Sequence, residues 1–400
     1  MIAPGGTIAM SQRSSALMVE TSATNEQKAA VWRAYRAGTP MRVPVLLGCN
    51  PRIWLLDPEL NTQGITFEQA ANDPRTHVEI ALRFQLHMHM TLHRFTDDAT
   101  GLPDRWTASL WTYNVYEAAS FGAPVEYPPG QVPATEPIYD DANKQAVFDV
   151  PIDKPLALPF IADRLEFWRE MQKVCNGMTF KGRPVTLAPW AATGSDGPFT
   201  VGCNLRGSAL LLDMIDDPDY FDQLMAFITQ ATIHRRDAMH AYWGDRIERA
   251  NGLADDSIAM IGTDTYTERI LAHHRAHYDA GPKHVPRTMH LCGDATRLFP
   301  TIARELNVVS FDTGFPVDHG ALRDALGEDI EILGGPPIDL LLHGSPDDVY
   351  TRTRSILQSG VMRGGRFILR EANNLPPRCP LKNLEAMYAA CLAFGRYDCA

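Results

Sequence analysis

The pair best suited to chemistry is His290-x-Cys292. Along a strand, residues two apart point to the same face, so an imidazole and a thiolate would converge on one point at a strand end. Nitrogen and sulfur donors so placed suit Zn²⁺, which takes tetrahedral N/S ligation and keeps one position open when catalytic. An H-x-C pair alone arises easily by chance, so a third ligand must come from another strand. Glu371 is the first choice, with Asn373 and Cys379 behind it. An amide is a poor zinc ligand, and Cys379 lies beyond two prolines.

Other constellations carry less. His89 and His93 share a helical face while His87 sits roughly opposite. With no acidic companion of the H-E-x-x-H kind, they read as surface or interface histidines. His273, His274 and His277 read as polar residues on the outer side of a helix. Asp255 and Asp256 are adjacent, so in an extended chain they face opposite ways. One can orient a substrate or accept a proton, and the other caps the next turn. No G-x-S-x-G or S-x-x-K supports a serine hydrolase, and no G-x-G-x-x-G or P-loop pattern supports a nucleotide site.

These residues need a frame to hold them. A first helix is expected over 25–37, then an apolar strand Val43–Leu47 ending in Gly48-Cys49-Asn50, then a long helix over 74–94. Residues 95–160 are aromatic, Pro-rich and weakly periodic, and read as a capping insertion. Trp106, Trp111, Tyr113, Tyr116 and Phe121 suggest an aromatic-walled pocket there, or a satellite core cluster. A helix from 162 leads to a strand near Val185–Pro189, and PFTVGCNLRG (198–207) reads as a strand-to-loop transition. Two helices divided at Asp216-Asp217-Pro218 follow. Strands at 252–254, 288–291, 308–311, 331–333 and 367–369 then alternate with helices. Short buried strands alternating with helices indicate a parallel α/β sheet, and this many units favour a closed (β/α)₈ TIM barrel over an open sheet. The expectation is one barrel domain over 25–400 behind a disordered leader at 1–24. Barrel function sits at the carboxyl ends of the strands. Those ends read Asn50, then Asn204 and Arg206, Asp255–Ser257, His290–Cys292, Asp312, Gly334–Pro336 and Glu371–Asn374. Asn50, Tyr113, Asn204, Arg206 and Asn373 are the candidate substrate contacts.

Composition narrows the class. The 400 residues carry 37 Lys+Arg and 48 Asp+Glu, a net charge of −11, which argues against a general phosphate-backbone binder and hence against nucleic acid. No run of about 18 apolar residues indicates a membrane span, and Met1–Thr21 does not read as a signal peptide. The seven cysteines are odd in number and widely spaced, so structural disulfides are not expected and a reducing cytoplasm is the natural setting.

Six segments in order carry a resemblance: GPFTVGCNLRG (197–207), LLLDMIDDPDYFDQL (210–224), ADDSIAMIGTDTYTERI (254–270), MHLCGDATRLFPTIARELNVVSFDTGF (289–315), EILGGPPIDLLLHGSPDDVY (331–350) and GGRFILREANNLPPRCPLKNLEAMYAA (364–390). In sequence and spacing the chain resembles the uroporphyrinogen decarboxylase superfamily over roughly residues 160–395, and more loosely over 30–125 through YNVYEAASFGAPV (113–125). It is most similar to the branch of zinc- and corrinoid-linked methyltransferases. That family's fold is a (β/α)₈ barrel. The Arg-rich opening by which true decarboxylases hold substrate carboxylates is missing at Thr39–Val45, which argues against a porphyrin substrate.

The methyltransferase branch has an H-x-C…C zinc site, and His290 and Cys292 match its first two ligands. Its last cysteine falls at Asn373, so the resemblance implies a variant site completed by Glu371 or another group, or a lost metal. A His/Cys/Glu site is harder than His/Cys/Cys and leans towards a small oxygenated methyl donor. Asp256 and Asp312 would be catalytic, and Asn204 would help orient the substrate. The resemblance thus implies zinc, a small-molecule substrate, a corrinoid protein as partner, and a homodimer as a form common on this fold. A metal-free decarboxylase or lyase of the same fold is the alternative, and a non-catalytic ligand-binding barrel the second.

Overall fold

The computed structural model describes residues 24–98 and 101–397. The expected leader lies outside them except for Thr24, whose hydroxyl caps the helix Asn25–Arg36 while the Gln27 side chain caps it in return.

Among the described residues, seven strands carry parallel pairing: β1 (Trp106–Ala108), β2 (Arg183–Leu187), β3 (Gly252–Ala254), β4 (Arg287–Leu291), β5 (Val308–Thr313), β6 (Glu331–Gly334) and β7 (Phe367–Leu369). The last five form one parallel sheet in the order β3-β4-β5-β6-β7. β1 and β2 form a separate parallel pair. The segment 43–47 lies along β7 through a parallel bridge between Val45 and Leu369, with Leu46 N donating to Leu369 O and Leu369 N to Pro44 O. At the other end, Ala254 N donates to Ser195 O, tying β3 to the chain that leaves β2.

The expected α/β class with a parallel sheet is present. The expected ring appears as a five-stranded arc, a two-stranded pair and these bridging segments, not as one unbroken ladder. Val45 shows why. Pro44 has no N–H, and both backbone groups of Val45 are taken by Asp97, whose Oδ2 accepts Val45 N at 2.8 Å and whose N donates to Val45 O at 2.7 Å. A strand partner is thereby excluded on that side.

The core lies between sheet and helices, with Val43, Val45, Leu291, Phe311, Ile332, Phe367 and Leu369 all buried. One expectation fails outright: residues 198–206 are a helix, Pro198–Arg206, and not a strand-to-loop transition. Proline sits at its first position, and the Asp255 carboxylate, arriving from the end of β3, accepts the N–H groups of Phe199 and Thr200. A remote residue supplies the cap, so no local signal announces it. The described residues between 95 and 158 hold only short elements, including an antiparallel pair Val125–Glu126 with Ala134–Thr135, before the long helix Pro159–Cys175. The six described cysteines are free thiols, and no helix among the described residues is long and apolar enough to cross a membrane.

Candidate functional site

Alternation along the strands sets the site. On β4, Met289 and Leu291 turn into the hydrophobic core, while Thr288 and His290 face the other way. They line a half-open cavity of about 440 Å³ with Gly252, Ala254, Ser310 and Asp312.

At its upper end three chains converge. His290 Nε2 is 3.0 Å from Cys292 Sγ, and His290 Nδ1 is 2.8 Å from Asp312 Oδ2. The Cys292 N–H donates to Asp256 Oδ1 at 2.7 Å. Ligand atoms of Asp256, His290 and Cys292 lie within 4.8 Å of one another, and among the described residues this is the one group of three such side chains that does. The donor set suits a zinc ion: one nitrogen, one sulfur and one oxygen. Asp312 completes the pattern by holding the far ring nitrogen, as carboxylates do for metal-binding histidines. Burial works against charge on His290, but its hydrogen bonds to Asp312 and Cys292 outweigh that and lift its pKa to about 10. The surroundings therefore favour a cation at this point.

Behind it runs a charge relay of fixed groups. Arg370 donates through Nη1 to Asp312 Oδ2 at 2.7 Å and through Nη2 to Glu371 Oε1 at 3.1 Å. The same Nη2 also reaches Asn373 O. Gly48 N donates to Glu371 Oε1 at 2.8 Å. A Cβ at Gly48 would stand 2.0 Å from Arg370 Nη2 and 2.5 Å from Glu371 Oε1, so a larger residue here would displace the ends of both side chains. Burial pushes the Glu371 carboxyl up to about 7, and its Oε2 has no partner among the described residues.

The candidates from sequence separate accordingly. Asp256, Asp312, His290 and Cys292 come together. Glu371, expected as third ligand, stands outside the three-residue group; its Oε1 accepts from Gly48 N and Arg370 Nη2. Cys379 is turned to Leu341 O. Asn373 adopts a left-handed φ of 97°, and its side chain accepts from Asn374. Asn50 caps the turn at Arg52 N. Asn204 sits half-buried on the helix Pro198–Arg206, not at a strand end. Arg206 is buried, away from the three-residue group, where it donates twice to Asp213 and reaches Asp141 and Tyr139 O. Tyr113 packs edge-on against Phe67 and Trp111.

Of the adjacent pair, Asp256 faces the site and Asp255 faces away, fully buried, to the helix cap and to His274 Nε2 at 2.9 Å. His274 and His277 are therefore buried holders of β3, not outer-face residues. His273 is half-buried on the same helix. Sequence reading also missed Arg52, Arg370 and Asp196. Burial, with Glu117, Asp256 and Asp255 nearby, raises the Asp196 carboxyl to about 8. Its place in Ser195-Asp196-Gly197 after a strand was the available signal.

Residues 26–394 match the family model described as uroporphyrinogen decarboxylase (URO-D). The chain belongs to the uroporphyrinogen decarboxylase family. Within it, the chain is 29% identical over 295 residues to a methylated-thiol–coenzyme M methyltransferase of Methanosarcina mazei, covering 70% of this chain and 71% of the relative. It is 26% identical over 196 residues to the methylcobamide:CoM methyltransferase MtbA of the same organism, 48% of this chain and 54% of that one. A solved methyltransferase structure from Methanosarcina mazei superposes with a TM-score of 0.62 at 16% identity, covering 93% of this chain and 99% of the other, and shares its fold. The matches support the methyltransferase side of the uroporphyrinogen decarboxylase family.

Proposed function

We infer that this protein is a zinc-dependent methyltransferase that moves a methyl group between a small oxygenated donor, or a thiol acceptor, and a corrinoid protein. The observation that carries the reading is the convergence of Asp256, His290 and Cys292 to within 4.8 Å at the strand ends. The methyltransferase relatives and the family's barrel fold support it. Asp256 takes the place in the ligand set left by the cysteine that would stand at Asn373. Bound there, zinc would favour the thiolate of a substrate thiol or polarise a substrate oxygen.

The chain's own residues prepare this. Asp312 fixes the His290 tautomer by accepting at Nδ1, which points Nε2 into the site. The Cys292 N–H holds Asp256 in place. Arg370 balances the charge of Asp312.

Zinc content decides the matter. Protein purified without chelator is expected to hold close to one zinc per chain, with His290→Ala, Cys292→Ala and Asp256→Asn each reducing it and Glu371→Gln retaining it. A chain that takes up no zinc overturns the metal. Loss of zinc in Glu371→Gln with retention in Asp256→Asn restores Glu371 as the ligand. A metal-free lyase of the same fold is the second reading, favoured by Asn373 where the branch has cysteine. Turnover that persists in chelator without a corrinoid protein would select it.

A further inference from the structure

Strand register stacks two layers of side chains on the face of the sheet that carries His290. The pairs Ala254–His290, His290–Asp312 and Asp312–Leu333 make the upper layer. Two residues nearer the strand starts, Gly252–Thr288, Thr288–Ser310 and Ser310–Glu331 make the lower one, about 7 Å away at ~3.3 Å per residue. Bulky branched side chains usually fill such layers inside a barrel. Here the lower layer is small and polar, and every residue of both layers lines the half-open cavity of about 440 Å³. That volume lies in the range of small-molecule pockets.

Glu331 is the charged group of the lower layer. Its Oε1 accepts from the Ser310 hydroxyl at 2.8 Å and its Oε2 from the Tyr35 hydroxyl at 2.7 Å. Both donors are neutral, and Glu331 has no ion pair among the described residues. The other strong charges on the cavity wall are engaged. Asp312 accepts from His290 and Arg370, and Arg236 donates to His277 O, Ala280 O and Asp237. A carboxylate has about four acceptor sites, so half of those on Glu331 stay free. A charge drawn away from bulk water without a counter-ion is costly. One end of the cavity therefore meets the candidate metal group, and the other meets an uncompensated carboxylate.

We propose that this cavity takes the non-reacting end of a small cationic substrate, an O-methylated amino alcohol, with its ammonium nitrogen against Glu331 and its oxygen at Asp256, His290 and Cys292. That the oxygen end reacts there rests on the methyltransferase reading above; the cation site does not. An ammonium carries donors alone, and the lower layer answers with the Glu331 carboxylate and the oxygens of Thr288 and Ser310. An anion in the same place would face Glu331 with like charge. Three carbons between oxygen and nitrogen, with one hydrogen bond of about 2.8 Å, cover the rise between the layers.

The test uses the full chain with 3-methoxypropylamine, its uncharged analogue 3-methoxypropan-1-ol and the anion 3-methoxypropionate, read by calorimetry. The amine is expected to bind about tenfold or more tighter than the alcohol, with the anion weakest, as charged hydrogen bonds allow. That preference should vanish in Glu331→Gln, which keeps an oxygen for Ser310 or Tyr35. It should persist, weakened, in Glu331→Asp, which keeps the charge. Thr288→Leu fills the lower layer from another strand and should abolish binding of all three compounds. Equal binding of amine and alcohol, tighter binding of the anion, a preference that survives Glu331→Gln, or binding undiminished by Thr288→Leu overturns the proposal. Zinc uptake is measured in the same samples. A zinc-free chain that still prefers the amine fails the metal reading alone, and a zinc-loaded chain indifferent to charge fails the cation site alone.

Discussion

Asp312 Oδ2 accepts from both His290 and Arg370, at 2.8 and 2.7 Å. One oxygen therefore sets the orientation of His290 and the charge behind it. Arg370→Gln is expected to weaken zinc binding by about 10- to 100-fold, the range for partners that orient a metal ligand. Arg370→Lys, which keeps the charge but loses the fork, should recover part of it. Competition with a chromogenic chelator measures both, and unchanged affinity would assign Arg370 to structure alone. At this scale the sequence was partly legible. His290-x-Cys292 declares itself by residue type and strand periodicity, and the adjacency of Asp255 and Asp256 required one to face inwards. Arg370 carried no such signal, because an arginine is defined by its partners, and Asp312 lies 58 residues away.

Among the elements, the helix Pro198–Arg206 depends on a cap it does not contain. Asp255 accepts from Phe199 N, Thr200 N, the Thr200 hydroxyl and His274, all within 3.2 Å. Asp255→Ala should cost about 3 kcal/mol or more in urea unfolding, since it strands several buried donors at once. His77, on the helix Pro74–Met90, gives a pH signature. Its Nδ1 donates to Ala70 O and its Nε2 accepts from Trp111 N, so the neutral ring is satisfied on both sides. Burial lowers its pKa from 6.5 to about 4. The unfolded chain binds the proton more readily, so the contribution is full above about pH 6.5 and is lost as the pH falls towards 4. The loss amounts to about 3 kcal/mol. His277 and His319, lowered to about 3 and 4 by burial, act in the same direction. Urea melts at pH 7.5 and 4.5 should therefore differ strongly, and less so in His77→Gln. Of these, His277 read from sequence as an outer-face polar residue, because periodicity reports which face a residue is on but not whether a polar side chain has found partners there.

For the whole molecule, Asp97 joins the two ends of the described chain. Its carboxylate takes two hydrogen bonds from Arg42, one from Val45 N and one from the Tyr388 hydroxyl of the final helix Leu381–Phe394. All its acceptor positions are filled, and removing it leaves the Arg42 charge buried. Asp97→Ala is expected to destabilise by about 3–5 kcal/mol, read from the urea midpoint with unchanged slope. A change below about 1 kcal/mol would mean that water replaces the carboxylate there.

Strand and helix order from 252 onwards, the inward face of β4 and the site pair followed from the sequence alone, because apolar periodicity and residue spacing are local and survive without a fold. The third member of the candidate group did not follow. Glu371 is the carboxylate expected from sequence, whereas the fold brings Asp256 to within 4.8 Å of His290 and Cys292. Nor did the cap of the helix Pro198–Arg206 or the interruption of the ladder at Val45, each made by an aspartate about 55 residues distant. Such choices are competitions for hydrogen-bond partners between distant segments, and only the tertiary structure decides them.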